Sequence, residues 1–271
     1  MAERTSTTPQ IKYVLFDMDG LIIDSETVYT RVTSKFSLTQ EEKNKLNGCV
    51  YADDILAPYG KEMTWDIKKE LMGKPERAAA EKLLSYFPDI SLTIDEYIQR
   101  RRTGQDLSWP TIQLLPGAHK LISHLASHKI PIGVATGSQR RNYELKTGHL
   151  QDTFRLFGEA VVCGDDPSIK HGKPAPDVFL CAAKQAGIVH VGLPGTQPTE
   201  EEIEVRAQGL VFEDATSGVI AGKRAGMNVV WVPDPNLAAL TTGEELGADE
   251  TLGSLEEFIP ERWGLPAYPK D

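Results

Sequence analysis

The sequence predicts an α/β protein: a doubly wound parallel-sheet core with an all-helical cap domain inserted near its start. Three observations predict it. An apolar run, Tyr13-Val14-Leu15-Phe16, ends abruptly in Asp17, Asp19 and Gly20, as a buried parallel strand with a site at its carboxyl end would. From Ser25 to about Leu107 the patterns are helical, with no convincing strand. From Pro116 onward strand-type runs alternate with helical segments, which implies βαβ units.

The elements follow in order. Residues 1–10 are polar and read as a disordered tail. The first strand spans about Lys12 to Asp17. Residues 73–87, GKPERAAAEKLLSYF, are rich in helix formers and line up Ala79, Leu83, Leu84 and Phe87 on one stripe. Residues 92–107 open on Thr93 and Glu96, spaced as a capping box. After Pro116-Gly117 a helix is expected through His128. Strands are expected over 130–136, 160–166, 209–215 and 228–232. Helices from Ser138, over 176–186 and up to Ala225 lie between them. Residues 189–208, rich in Gly, Pro and Glu, read as a surface loop whose acidic run Glu200–Glu202 is a solvated face. The core is expected to take 11–20 and 112–271, and the cap 21–111.

A chain of 271 residues is long enough for one large domain or two modest ones. Its net charge of −10 argues against non-specific binding to nucleic acid or an anionic membrane. An anionic ligand would therefore need cations supplied locally. No apolar run approaches the ~18 residues of a membrane span, and the polar start lacks a signal-peptide core. Cys49, Cys163 and Cys181 have no metal-type spacing and read as reduced thiols. The expectation is a cytoplasmic monomer whose partner is a small molecule, with no nucleic acid and no membrane.

Four strand ends carry the chemistry. Asp17 and Asp19 stand one residue apart, and like charges that close repel unless a cation or proton is shared. The spacing asks for a hard divalent ion, most simply Mg²⁺. Thr136-Gly137-Ser138 offers two hydroxyls and free N–H groups at a helix start, which suits phosphate. Lys173 precedes a helix and supplies a fixed positive charge. Glu213-Asp214 is a second acidic pair suited to completing a metal site. Taken singly, each reads equally as surface acids, a helix cap or a turn. At the ends of successive strands, they point to one site.

The motifs DMDGLIIDS, VATGS, GKPAPD and VFEDATSG resemble those of the haloacid dehalogenase superfamily of phosphohydrolases. The resemblance covers nearly all of residues 11–265. It implies a Rossmann-like core with a helical cap and Mg²⁺-dependent phosphoryl transfer to a carboxylate. Asp17 would be the nucleophile and Asp19 the proton shuttle. Thr136 would bond the transferring phosphoryl group, with the backbone at Gly137 and Ser138. Lys173 would offset charge. Asp214 would hold Mg²⁺ together with Asp17 and the main-chain carbonyl of Asp19, with Glu213 a further ligand or a partner behind the ligands. The implied substrate is a small phosphorylated metabolite, a sugar or nucleotide monophosphate such as pseudouridine 5′-phosphate. Glycerol phosphate and deoxyhexose phosphate stay open as substrates. So do a sugar phosphomutase of the same fold and a non-catalytic binding protein.

By analogy with capped relatives, a loop near Gly73, Lys74 and Arg77 would read the leaving group, although exposed charges at a helix start are the plain alternative. Residues 34–52 depart from the resemblance. Without them the flanking segments would join as one amphipathic cap helix. Ser34-Lys35-Phe36 can be encoded by a stretch holding a splice-donor sequence, so the expectation is an insertion, a translated intron.

Overall fold

The apolar run at the start of the core forms β1, Tyr13–Phe16, and every residue of it is buried. In the computed structural model, which describes residues 9–25, 28, 55–71 and 76–269, β1 sits inside a six-stranded sheet of order β3-β2-β1-β4-β5-β6. The other strands are β2 (Ile132–Ala135), β3 (Val161–Val162), β4 (Gly209–Glu213), β5 (Asn228–Trp231) and β6 (Glu250–Thr251). All neighbours are parallel. The chain winds outward from β1 to β3, then returns to β4 on the other side of β1. This is the expected doubly wound α/β core, and the reversal beside β1 makes a switch point of the kind where ligands bind.

Side chains alternate across the sheet. Tyr13 and Leu15 join a buried cluster with Phe179, Val211, Val219 and Val229. Phe16 points to the other face, where it stacks on Phe212 at 5.2 Å and meets Phe157 edge-on at 6.0 Å. Full burial of each such side chain stabilises the fold by about 1.5–3 kcal/mol. Helices Ala118–Ser127, Asp177–Gln185 and Thr216–Arg224 lie within a residue or two of expectation.

Other elements differ from the sequence reading. The helix expected from Ser138 begins at Arg140, because the Ser138 N–H turns back to Thr136 Oγ1 at 3.0 Å. The third strand ends at Val162, not near Asp166. There Gly164 approaches so closely that a Cβ on it would lie 2.4 Å from the Gly137 carbonyl, and the chain turns. Residues 200–207, expected in a loop, form a helix capped by Thr199 and Glu202. The edge strand β6 was not expected. Pro9 and Gln10, assigned to the tail, run alongside Gly264.

The chain divides into two compact units, one ending at Asp24 and resuming at Gln113, the other spanning Ser25–Ile112. Residues 21–24, assigned to the cap, thus belong with the sheet. Their backbone explains why: Ile22 and Ile23 N–H groups donate to the Met18 carbonyl, and Ile23 bridges Leu114. The second unit contains helices Trp65–Leu71, Glu76–Ser85 and Ile94–Ser108, and no strand among the described residues. It has its own apolar cluster around Ile55, Leu56, Leu83 and Tyr97. The stripe expected through Ala79 runs through buried Ala80 instead.

Residues 34–52, Cys49, Gly73 and Lys74 lie outside the described residues. Cys163 and Cys181 are free thiols, and burial pushes the Cys163 thiol up to about 11. Among the described residues, no helix is long and apolar enough to cross a membrane.

Candidate active site

Three adjacent strands deliver the polar residues to one edge of the sheet. Beyond β1, the Asp17 N–H still donates to the Phe212 carbonyl of β4 at 3.0 Å, so Asp17 is carried to the strand end and stays buried. Beyond β2, the Thr136 N–H donates to the Val162 carbonyl at 3.0 Å, and Thr136 is wholly buried. β4 ends at Glu213, which is buried, and continues to half-buried Asp214, whose carbonyl accepts from Trp231 Nε1 at 2.7 Å.

Lys173 ties these ends together. Its ammonium donates to Asp17 Oδ1 and, at 2.6 Å, to Glu213 Oε1. Asp177 shapes the loop that presents it: this buried carboxylate accepts the N–H groups of Lys170 and His171 at 3.1 and 3.0 Å. Burial alone would lower the Lys173 ammonium, but Asp17 and Glu213 outweigh it and hold its pKa above the usual lysine range. Burial pushes the Asp17 carboxyl up to about 7, opposed by Lys173 and reinforced by the charges of Glu213 and Asp19.

Asp19 sits in a different environment. Ser138 Oγ donates to its Oδ2 at 2.7 Å, and Lys146 Nζ donates to its Oδ1 at 2.6 Å. Thr136 Oγ1 lies 3.5 Å from Oδ2, at the limit of a hydrogen bond. Gly137, between the two hydroxyl residues, is exposed and has open space at its Cα.

Direct bonds join Asp17, Lys173 and Glu213 in one network and Asp19, Ser138 and Thr136 in a second. Glu213, expected as a metal ligand or a partner behind the ligands, has both oxygens engaged: Oε1 by Lys173 and Oε2 by the Ala215 N–H at 2.9 Å. Its place is behind Lys173. Arg77 pairs with Asp95 at 2.7 Å and Glu81 at 3.5 Å within the helical unit.

Lys146 was missed by the sequence reading. It lies in RRNYELKT, a polar helix that reads as solvated, yet its side chain is wholly buried. The available signal was position: the helix begins two residues after Ser138, so its second turn stays near that strand end.

Among the described residues, no three His, Cys, Asp or Glu side chains form a ready-made metal site. The donors nonetheless suit a hard divalent cation, since the Asp17 and Asp214 carboxylates and the Asp19 carbonyl are all oxygen.

Comparisons with known proteins identify the family. A family profile described as haloacid dehalogenase-like hydrolase matches residues 11–226. (DL)-glycerol-3-phosphatase 2 of Arabidopsis thaliana is 40% identical over 266 residues, covering 97% of this chain and 95% of that protein. A probable pseudouridine-5′-phosphatase of Drosophila melanogaster is 34% identical over 259 residues, covering 96% of each chain. Among solved structures, a HAD family hydrolase of Deinococcus radiodurans R1 with bound phosphate and sodium superposes with a TM-score of 0.66 at 22% identity, over 96% of this chain and 99% of that one. That last likeness bears on the fold, which is the doubly wound core described above. With a profile match running from β1 to the turn before β5 and whole-length relatives at this identity, the chain belongs to the haloacid dehalogenase-like hydrolases.

Proposed function

We propose that the chain is a phosphatase of small phosphate monoesters that works through an aspartyl-phosphate on Asp17. The observation that carries this reading is the unlike setting of two neighbouring carboxylates. Asp17 is buried against Lys173 and Glu213, while Asp19 is held by Ser138 and Lys146. Two acids in unlike environments suit two roles. The Asp17 carboxylate attacks phosphorus, and the leaving alkoxide takes a proton from Asp19. A water then gives a proton to Asp19 as its oxygen attacks the aspartyl-phosphate, which frees phosphate and restores Asp17. Lys173 offsets the negative charge of nucleophile and phosphoryl group, and Glu213 orients Lys173. Thr136 and the backbone at Gly137 and Ser138 receive the phosphoryl oxygens. Asp17, Asp214 and the Asp19 carbonyl would hold Mg²⁺, whose charge draws the dianion in and steadies its equatorial oxygens.

The unit Ser25–Ile112 is read as the cap. Glycerol phosphate and pseudouridine 5′-phosphate are the foremost candidates, since relatives carrying both names match nearly the whole chain. A phosphate-release panel of alkyl, sugar and nucleotide monoesters, run with Mg²⁺ and with EDTA, tests the reading. Turnover is expected on at least one monoester with Mg²⁺. It should fall at least ~10³-fold in Asp17→Asn, as when a covalent nucleophile is removed. Near-normal turnover in that variant, or none on any monoester, overturns the reading.

A further inference from the structure

Lys146, Ser138 and Asp19 form a closed triangle. Lys146 Nζ donates to Asp19 Oδ1 at 2.6 Å and contacts Ser138 Oγ at 3.0 Å, and Ser138 Oγ donates to Asp19 Oδ2 at 2.7 Å. The ammonium is wholly buried, whereas Asp19 keeps 22% of its side chain exposed. Burying an ammonium costs several kcal/mol unless good partners answer it. The chain therefore keeps an expensive group where a leucine would pack more easily. The three residues come from separate pieces of chain: the turn after β1, the turn after β2, and helix Arg140–Thr147. Asp19 itself lies outside any strand or helix, so its own backbone does not fix the direction of its carboxylate. A fully connected buried network does fix such a direction.

We propose that Lys146 is a positioning residue for proton transfer. It holds Oδ1 of Asp19 while Ser138 holds Oδ2, so the carboxyl group meets the leaving oxygen in one geometry. The inference rests on the reading of Asp19 as the proton shuttle. It adds that the shuttle depends on a lysine two helical turns away from the phosphate-facing turn.

The test separates the proton-dependent step from all others. Release of the leaving group is followed in a single turnover, once with an alkyl phosphate the enzyme accepts and once with p-nitrophenyl phosphate. The alkoxide needs a proton to leave; the nitrophenolate does not. Lys146→Met is expected to slow alcohol release by about 10- to 100-fold, part of the 10²–10⁴ a positioned acid contributes. Nitrophenolate release should change by less than about threefold, and KM should hold. A lysine that merely supports the fold would slow both alike, and that result overturns the proposal. Asp19→Asn is the control. If it lacks the asymmetry, the reading of Asp19 itself fails; if it has the asymmetry and Lys146→Met does not, only the positioning role fails. Should Lys146→Met not fold, Lys146→Gln keeps a polar group in the same pocket but is too short to hold Asp19 Oδ1 as the ammonium does. The same leaving-group asymmetry is expected there, and equal slowing of both substrates overturns the proposal.

Discussion

Gly218 leaves the space that Glu213 fills. A Cβ at residue 218 would lie 1.6 Å from Glu213 Oε1, so any larger residue must displace a buried carboxylate bonded to Lys173 and to the Ala215 N–H. Gly218→Ala would gain about 1 kcal/mol of helix propensity. Against that, separating a buried ion pair costs about 3–5 kcal/mol. The expected outcome is a net loss of roughly 2–4 kcal/mol, read from the urea midpoint, with kcat lowered because Lys173 loses one anchor. Unchanged stability would mean that Glu213 relocates without cost. The same scale explains what the sequence could reveal. Asp17, Asp19, Thr136, Ser138 and Lys173 follow strand ends or turns whose position the apolar runs announce. Lys146 announces nothing, because a lysine in a polar helix is ordinarily solvated. Only the fold reveals that this helix turns its last residues inward.

At the scale of elements, capping chemistry was more reliable than composition. Thr93 and Glu96 form the capping box that their spacing predicted. Thr199 and Glu202 form the same box, yet their Gly-, Pro- and Glu-rich surroundings suggested a loop. The three glutamates after Thr199 are what a helix N-terminus favours, since its dipole attracts negative charge. The short β3 was illegible for another reason: its end is set by the contact between Gly164 and Gly137, a tertiary event. In the helical unit, Glu76 joins two helices by accepting from Arg102 and Arg101. The bond from Arg102, chief among these, holds its carboxyl below the usual range. Because the folded value is depressed, the unfolded chain takes up the proton first, and the stabilisation is lost as pH falls through the carboxylate range. Glu76→Gln should cost less than about 1 kcal/mol at pH 7. Its gap from wild type should close as melts are taken below about pH 4. A gap that is flat with pH would contradict the ion-pair account.

For the whole molecule, the decisive geometry is where the helical excursion leaves and rejoins the core. The Asp24 N–H donates to the Gln113 carbonyl at 2.9 Å, and the Leu115 N–H to the Ile22 carbonyl at 2.9 Å. The two crossings are therefore zipped side by side, and each unit has its own apolar cluster. A chain in which a short Gly/Ser linker replaces residues 25–112 should fold. Each halving of a closed loop returns about 0.6 kcal/mol, so shortening the excursion favours closure by roughly 2 kcal/mol. The boundary expected from sequence puts the exit after Gly20. A linker attached there would remove Leu21, Ile22 and Ile23, all essentially without solvent exposure. At about 1.5–3 kcal/mol for each buried side chain, that loss exceeds the whole closure gain and much of a typical domain's stability. The pair of deletions thus discriminates. The one cut after Asp24 should give a single cooperative urea transition by circular dichroism, and the one cut after Gly20 should not. If both fold equally well, the three residues contribute little to the core; if neither does, the sheet unit depends on the helical one.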